Sequence, residues 1–337
     1  MNTIWQDFLK TRGARFDQGV VADFGHPADE LAATRAGTVL VPLDHLALFE
    51  CTGEDATSFL HNQLTSDVNH LDAGTAQHSS WCTHKGRMQA SFILYRQGAD
   101  YRALLSADLL DSTLKQLQRY VLRAKARLRD LSNEQIAIGV SGPQAGESLR
   151  AAGLTVPEAP MTTLDAGTGT TIRLDAQRFI VIADAAAAPA LYDRLAGVAH
   201  PAGVPVWHWL DIEAGIVLVT ADTKEEFVPQ MVNFDKIGGV SFHKGCYPGQ
   251  EVVARAQYLG KIKRHLYQIR TNGPMVAGGS LFLAGKSEQP CGLIANTAPA
   301  PDGLFAALAV IKEEATADEM HLKIPGVDVT SVKAVAA

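Results

Sequence analysis

The sequence predicts an α+β fold, with two similar α+β subdomains followed by a small all-β domain. Three observations predict it. First, the pattern Gly53-x-x-Ala56-x-x-x-Leu60 returns 89 positions later as Gly142-x-x-Ala145-x-x-x-Leu149, each copy following an apolar, strand-like run. Both copies read as strand, glycine turn, helix. Second, short runs of period-two alternation and longer helical stretches alternate as far as residue 260, as they do in mixed domains. Third, residues 261–337 hold only short strand candidates separated by Gly and Pro turns, the signature of a small β domain. The predicted divisions are residues 1–134, 135–260 and 261–337.

Composition narrows the class. The chain has 337 residues, 47% hydrophobic and 20% charged, which suits two or three globular domains. A net charge of −6 argues against nucleic-acid binding by the chain itself, since that binding depends on clustered positive charge. No apolar run approaches the ~18 residues of a membrane span. The first ten residues carry Asp7 and read as a short amphipathic helix rather than a signal peptide, so a cytoplasmic location is expected. Cys51, Cys82, Cys246 and Cys291 are widely spaced and form no C-x-x-C pair, so no metal site and no disulfide is expected.

The elements follow in order. Residues 13–37, rich in Gly, Ala and Asp, read as a loose segment, and residues 38–50 as one or two strands broken at Pro42. Thr52-Gly53-Glu54-Asp55 is a turn capping a helix that runs to about Leu64. Strands at 76–81 and 88–95 join across Thr83-His84-Lys85-Gly86, and a strand at 101–105 precedes a helix capped by Asp108 and ending near Tyr120. Residues 121–129 alternate apolar and basic, which predicts a strand with Arg123, Lys125, Arg127 and Arg129 on one face. That face is either solvated or a basic wall for an anionic ligand tail. Residues 155–169 read as a loop, 170–174 and 178–183 as strands, and 186–196 as a helix. The segment Trp207-His208-Trp209-Leu210-Asp211-Ile212-Glu213 is either a buried helix whose indoles fill the core, or a pocket wall. In the second case an indole stacks on a flat ligand and a carboxylate pairs with its ring nitrogens. The tail offers strands at 261–270, 280–284, 292–295, 305–311 and 320–324.

The densest chemistry lies at Lys244-Gly245-Cys246-Tyr247-Pro248-Gly249-Gln250-Glu251. Tyr247 precedes a proline and is biased to an extended backbone, and Pro248-Gly249 makes a turn. A helix is expected over 250–258, with Glu251 and Arg255 facing each other at i, i+4. Cys246 thus sits before a helix N-terminus and near a lysine, two features that favour a thiolate. Gly245 and Gly249 would let a ligand approach the backbone. The competing reading is a buried, inert cysteine.

This octapeptide, with Ala254-Arg255 after it, resembles the signature of the YgfZ-type folate-binding proteins, which are related to the glycine-cleavage T-protein, an aminomethyltransferase. Similar matches are Asp211-Ile212-Glu213-Ala214-Gly215, Phe227-Val228-Pro229-Gln230-Met231, Gly238-Gly239-Val240-Ser241-Phe242 and Gln63-Leu64-Thr65-Ser66-Asp67-Val68. The resemblance implies a T-protein-like fold: α+β subdomains around a central folate pocket, and a C-terminal β-barrel. It implies binding of tetrahydrofolate or a one-carbon derivative, and a role with iron–sulfur client or assembly proteins. It makes Cys246 the key thiol, helped by Lys244 and Arg255. Trp207, His45 (where the family carries a second tryptophan), Glu213, Tyr247, Gln250 and Glu251 become ligand-side residues, with Arg123 or Lys125 for the folate tail. The alternative is a folate-dependent aminomethyltransferase or other one-carbon transferase. Those enzymes carry an aspartate pair just after the hairpin glycines, and residues 86–92 here contain no acid. The T-protein's Tyr-Thr-Gly-Glu-Asp motif is also missing around residues 178–184, so a reaction needing a positioned carboxylate lacks its obvious residue, and Glu213 is a disfavoured substitute.

Overall fold

A computed structural model describes the chain apart from residues 1, 167–168, 259, 261, 284–288, 316–321 and 336–337. The elements begin with α1 (Thr3–Thr11), β1 (Arg15–Asp17), β2 (Val20–Asp23), α2 (Pro27–Ala33) and β3 (Val39–Pro42). A first repeat follows: β4 (Leu46–Thr52), α3 (Ala56–Gln63), β5 (Ala76–Cys82), β6 (Met88–Gln97), β7 (Asp100–Ser106), α4 (Leu110–Val121) and β8 (Arg127–Asp130). The second repeat is β9 (Gln135–Ser141), α5 (Ala145–Ala151), β10 (Thr162–Ala166), β11 (Gly169–Arg173), β12 (Arg178–Asp184) and α6 (Ala188–Ala196). Then come β13 (His200–Pro201), α7 (Val204–Glu213) and α8 (Gln250–Tyr258). The tail carries β14 (Arg264–Thr271), β15 (Ser280–Leu283), β16 (Gly292–Pro299), β17 (Phe305–Lys312), β18 (Leu322–Ile324) and β19 (Val327–Ala334).

The echo in the sequence is a repeat in three dimensions. One sheet runs β5-β6-β7-β4-β8 and the other β10-β11-β12-β9-β3-β13, so the two share a strand order position for position. The fifth strand of each is exchanged. β3, which leads into β4, pairs with β9 (Val39 opposite Ser141), whereas β8, which leads into β9, pairs with β4 (Phe49 opposite Asp130). The two motif glycines do the same work. Gly53 (φ +113) and Gly142 (φ +142) each turn from strand to helix where a Cβ would lie 2.1 Å from the Lys125 carbonyl oxygen and 2.2 Å from that of Gly37. Only glycine fits there. Ala56, Leu60, Ala145 and Leu149 are all buried, as their shared spacing requires.

Contacts divide the chain into two compact units: residues 1–56, 70–77 and 93–207, and residues 57–69, 78–92 and 208–337. In the first unit α1 presents Trp5 and Leu9 to a core shared with Ile138 and Val140 of β9, Phe179 and Val181 of β12, and Leu191 and Tyr192 of α6. Asn2 caps α1, its side chain accepting from the Trp5 amide at 3.0 Å. In the second unit β14-β17-β16-β15-β18-β19 close into a barrel around Ile269, Leu281, Ile294, Ala307, Ala309 and Ile311. This is the expected C-terminal β-barrel on a mixed α and β body.

Four local expectations are corrected. Residues 13–37 are ordered as the β1–β2 hairpin and α2. The buried Glu30 carboxylate organises them by accepting from the Phe24 amide at 2.7 Å and the Gly203 amide at 3.0 Å. Residues 121–129 are not one strand. The apolar stripe of α4 (Leu110, Leu114, Leu117) carries the helix to Val121, Leu122 ends it with φ 47°, and β8 begins only at Arg127. Arg123 and Lys125 therefore lie in a turn, away from Arg127 and Arg129 on the strand. Within 155–169, read as loop, β10 forms and pairs with β11. The tail has one more strand than expected: β19 closes the barrel against β14 and β18, and its exposed, weakly alternating residues hide it from pattern reading.

Candidate functional site

The motif loop belongs to the second unit, and the chain there holds it from three sides. On the first side, Lys244 sends its ammonium to the C-terminal end of α3, donating to the carbonyls of His61 and of Leu64, the latter at 2.5 Å. Those are the orphan carbonyls that a helix end presents, and a cation is the group its dipole favours. The ammonium also lies 4.9 Å from the centre of the Tyr247 ring. Burial lowers the Lys244 pKa to about 8, with Asp67 pulling the other way.

On the second side, Pro248-Gly249 abuts the β5–β6 hairpin turn. That turn closes through the Gly86 amide donating to the Thr83 carbonyl at 2.9 Å and the Thr83 amide to the Arg87 carbonyl at 2.8 Å. A Cβ on Gly249 (φ +82) would stand 2.3 Å from the Thr83 oxygen and 2.7 Å from Gly86. The protein's own hairpin, not a ligand, is what approaches the Gly249 backbone. On the third side, Gln230 Nε2 donates to the Val253 carbonyl at 2.7 Å and ties down α8. The strip before the motif is fastened as well: the Ser241 amide donates to the Thr65 carbonyl at 2.9 Å, and the Thr65 hydroxyl to the Gly239 carbonyl at 2.6 Å.

Held this way, Cys246 is exposed, whereas Cys51, Cys82 and Cys291 are buried. Burial pushes the Cys51 and Cys82 thiols up to about 12 and raises that of Cys291. Tyr247 is buried beside the exposed cysteine, and burial raises its hydroxyl pKa. Arg255 and Glu251 lie exposed on α8, with Gln250 half-buried at its start.

The sequence reading missed His61. Its Nε2 lies 3.7 Å from where a Cβ on Gly245 would be, and its Nδ1 is 3.3 Å from Asp67 Oδ1. An imidazole with a carboxylate near its Nδ1 thus stands beside the residue preceding Cys246. The signal was present in His61 and Asp67 flanking Gln63-Leu64-Thr65-Ser66, but nothing local connects that helix end to a loop about 180 residues on.

The other predicted residues are placed separately. Glu213, at the end of α7, accepts from Gln268 Nε2 and from Arg270 Nη2 at 3.2 Å, and the Arg270 guanidinium lies 4.3 Å from the Trp209 ring centre. In the first unit Trp207 is 1% exposed, and its indole fills the space that a Cβ on Gly139 would take, at 2.5 Å. His45 is buried in the β3–β4 turn, its carbonyl accepting from the Ala107 amide at 2.9 Å. Lys125 pairs with Glu54 at 2.7 Å, and Arg123 is exposed.

Among the described residues, two buried oxygens of the second unit, Gln230 Oε1 and Asp235 Oδ1, have no hydrogen-bond partner, although backbone amides of Asp235 and Lys236 act on the Asp235 carboxylate. Burial raises the Asp235 pKa. A buried acceptor without a donor is costly and calls for a donor-bearing partner. In β6, Ser91 Oγ accepts from the Val219 amide at 2.9 Å.

Comparison with known proteins gives the following. The sequence model of the family described as "GCVT N-terminal domain" matches residues 11–238. "tRNA-modifying protein YgfZ" of Yersinia pestis (strain Pestoides F) is 32% identical over 295 residues, covering 86% of this chain and 89% of that one. The protein of the same name from Cronobacter sakazakii is 34% identical over 254 residues, covering 74% and 76%. The crystal structure of the glycine cleavage system aminomethyltransferase T from Bartonella henselae superposes with a TM-score of 0.81 over 98% of this chain and 96% of that one, at 18% identity. That last likeness establishes the shared fold.

Proposed function

The chain belongs to the YgfZ family, within the proteins built on the GCVT N-terminal domain, and from that premise we propose that it binds tetrahydrofolate or a one-carbon derivative and supports the assembly or repair of iron–sulfur proteins, with Cys246 as the working thiol. The observation that carries this reading is the contrast between one exposed cysteine in a loop fastened by Lys244, Gly249 and Gln230 and three buried ones. A loop fixed this firmly around an exposed thiol suits presentation of that thiol to a partner. The unpartnered oxygens of Gln230 and Asp235 fit a folate, whose pterin would donate to them. The relatives' name refers to tRNA modification. With a net charge of −6 this chain is poorly suited to gripping tRNA itself, so the effect on tRNA would pass through a client enzyme.

Calorimetric titration of the purified chain with tetrahydrofolate tests the ligand, and Gln230→Leu is expected to weaken that binding. Iron–sulfur enzyme activities in cells carrying only the Cys246→Ala chain test the thiol. Unchanged activities after loss of the whole protein would rule out the accessory role. The second reading, a one-carbon transferase, is favoured by the shared aminomethyltransferase fold and opposed by the acid-free stretch at residues 86–92. Methylenetetrahydrofolate formation from a methylene donor by the pure protein would reinstate it.

A further inference from the structure

The two residues before Cys246 both meet the C-terminal end of α3. Lys244 donates to the carbonyls of His61 and Leu64. Gly245 faces the His61 ring, where a Cβ would lie 3.7 Å from Nε2, an ordinary contact distance. The exposed thiol is the next residue. Successive α-carbons are about 3.8 Å apart, so the Cys246 α-carbon lies within about 9 Å of that nitrogen. On the opposite edge of the ring, Nδ1 stands 3.3 Å from Asp67 Oδ1, and the His61 side chain is only 10% exposed. A carboxylate this close favours the protonated ring, whereas burial and the Lys244 ammonium oppose it. A titratable, largely buried side chain therefore has a carboxylate on one edge and the thiol-bearing loop on the other.

We propose that His61 is a positioning residue for this thiol: its imidazolium, next to Asp67, stabilises the Cys246 thiolate and sustains the thiol's reactivity below neutral pH. That role deepens the reading of Cys246 as the working thiol and rests on it. Histidine is the side chain whose charge ordinarily changes near neutrality, and a cation beside a cysteine lowers the thiol's pKa. The Debye length at physiological salt is about 8 Å, so a partly buried charge at this range still acts on the sulfur. The other groups on the elements packed here act differently. Burial lowers Lys244 to about 8, with Asp67 opposing, so it is a constant cation below neutrality. Burial raises the Tyr247 hydroxyl, which stays neutral. Lys85 on the β5–β6 hairpin and Arg255 and Glu251 on α8 are exposed, where solvent weakens their fields. His84 on the hairpin and His243 in the loop are exposed histidines, and they are the controls.

The test follows iodoacetamide labelling of Cys246 in the full folded chain across the range from acid to alkaline pH, read by peptide mapping. The parent is expected to show two steps in rate against pH, the lower from the thiolate paired with the imidazolium and the upper from ordinary thiol ionisation. His61→Gln, with cooperative unfolding retained, is expected to lose the lower step. Its labelling near pH 6 should fall at least about threefold, while the alkaline rate stays within about twofold of the parent. A merely structural change in access would move both ends alike. Asp67→Asn, which keeps the ring and removes its counter-charge, is expected to shrink the lower step, and His84→Gln and His243→Gln to preserve it. A single step in the parent, or a lower step that survives His61→Gln, overturns the proposal. The assay needs neither folate nor client. If the lower step depends on His61 but iron–sulfur enzyme activities ignore Cys246→Ala, the electrostatic pairing stands and the cellular role of the thiol falls; the reverse pattern removes the pairing alone.

Discussion

At the scale of single residues, burial sorts chemistry that composition leaves mixed. Four cysteines look alike in the sequence, but the fold exposes one and desolvates three. Iodoacetamide at neutral pH should therefore label Cys246 in the native protein on the order of 10²-fold or more faster than the others, which react only through opening of the core. Peptide mapping reads this directly, and equal labelling of Cys82 would refute it. Asp44 offers a second prediction. Its folded pKa of about 6 lies above the unfolded value, so the folded state binds the extra proton and the group costs stability as pH rises from about 4 through 6. Asp44→Asn should then be more stable than the parent at pH 7.5, by on the order of 1–3 kcal/mol, with the gap closing near pH 4. Tyr192, whose hydroxyl feels the charge of this carboxyl, remains in both chains. Thermal unfolding across that range measures the difference.

At the scale of elements, the motif is a small machine made of parts from distant stretches. Its helix was legible because Pro248-Gly249 breaks the chain and the next nine residues propagate a helix, as α8 does. The strand–glycine–helix echo was legible because both glycines meet the same steric demand. Lys244 was not legible. Its basic neighbourhood suggested help to the thiol, yet its ammonium closes the end of α3 through backbone carbonyls, which carry no side-chain signature. Trp207 was ambiguous for a related reason: an apolar indole in a helix suits a pocket or a core equally, and its packing against Gly139, far away in sequence, carries no local signal. The alternation of residues 121–129 misled because a helix end followed by a charged turn imitates a period of two over a few residues. Gly249 provides the test at this scale. Gly249→Ala forces a side chain into a left-handed backbone and against the Thr83 carbonyl, and should cost about 3 kcal/mol or more. Urea unfolding would show it, and a loss below about 1 kcal/mol would mean that the hairpin and motif are not clamped together.

At the scale of the whole molecule, exchange of β3 and β8 makes the two repeats depend on each other. Deleting residues 1–43 removes not a tail but a strand of the second sheet, together with Trp5 and Leu9 from its core. Loss of a buried Trp alone typically costs about 3–5 kcal/mol. The shortened chain is thus expected to lose cooperative unfolding, as judged by near-UV circular dichroism and calorimetry. A shortened chain that melts sharply at the parent temperature would contradict the dependence.

The same exchange sets a clock on synthesis. Val39, Leu40 and Val41 find their pairing partners only when Gly139, Val140 and Ser141 have been made, roughly 100 residues later. At ribosomal speeds of about 5–20 residues per second, that apolar strand waits on the order of 5–20 s with its edge unpaired. Connections between residues so far apart in sequence also form slowly. The interval is a window in which the nascent chain is open to mispairing or to capture by a holding chaperone. The arrangement that joins the two repeats in the finished protein is therefore also the one that leaves it most vulnerable while it is being made.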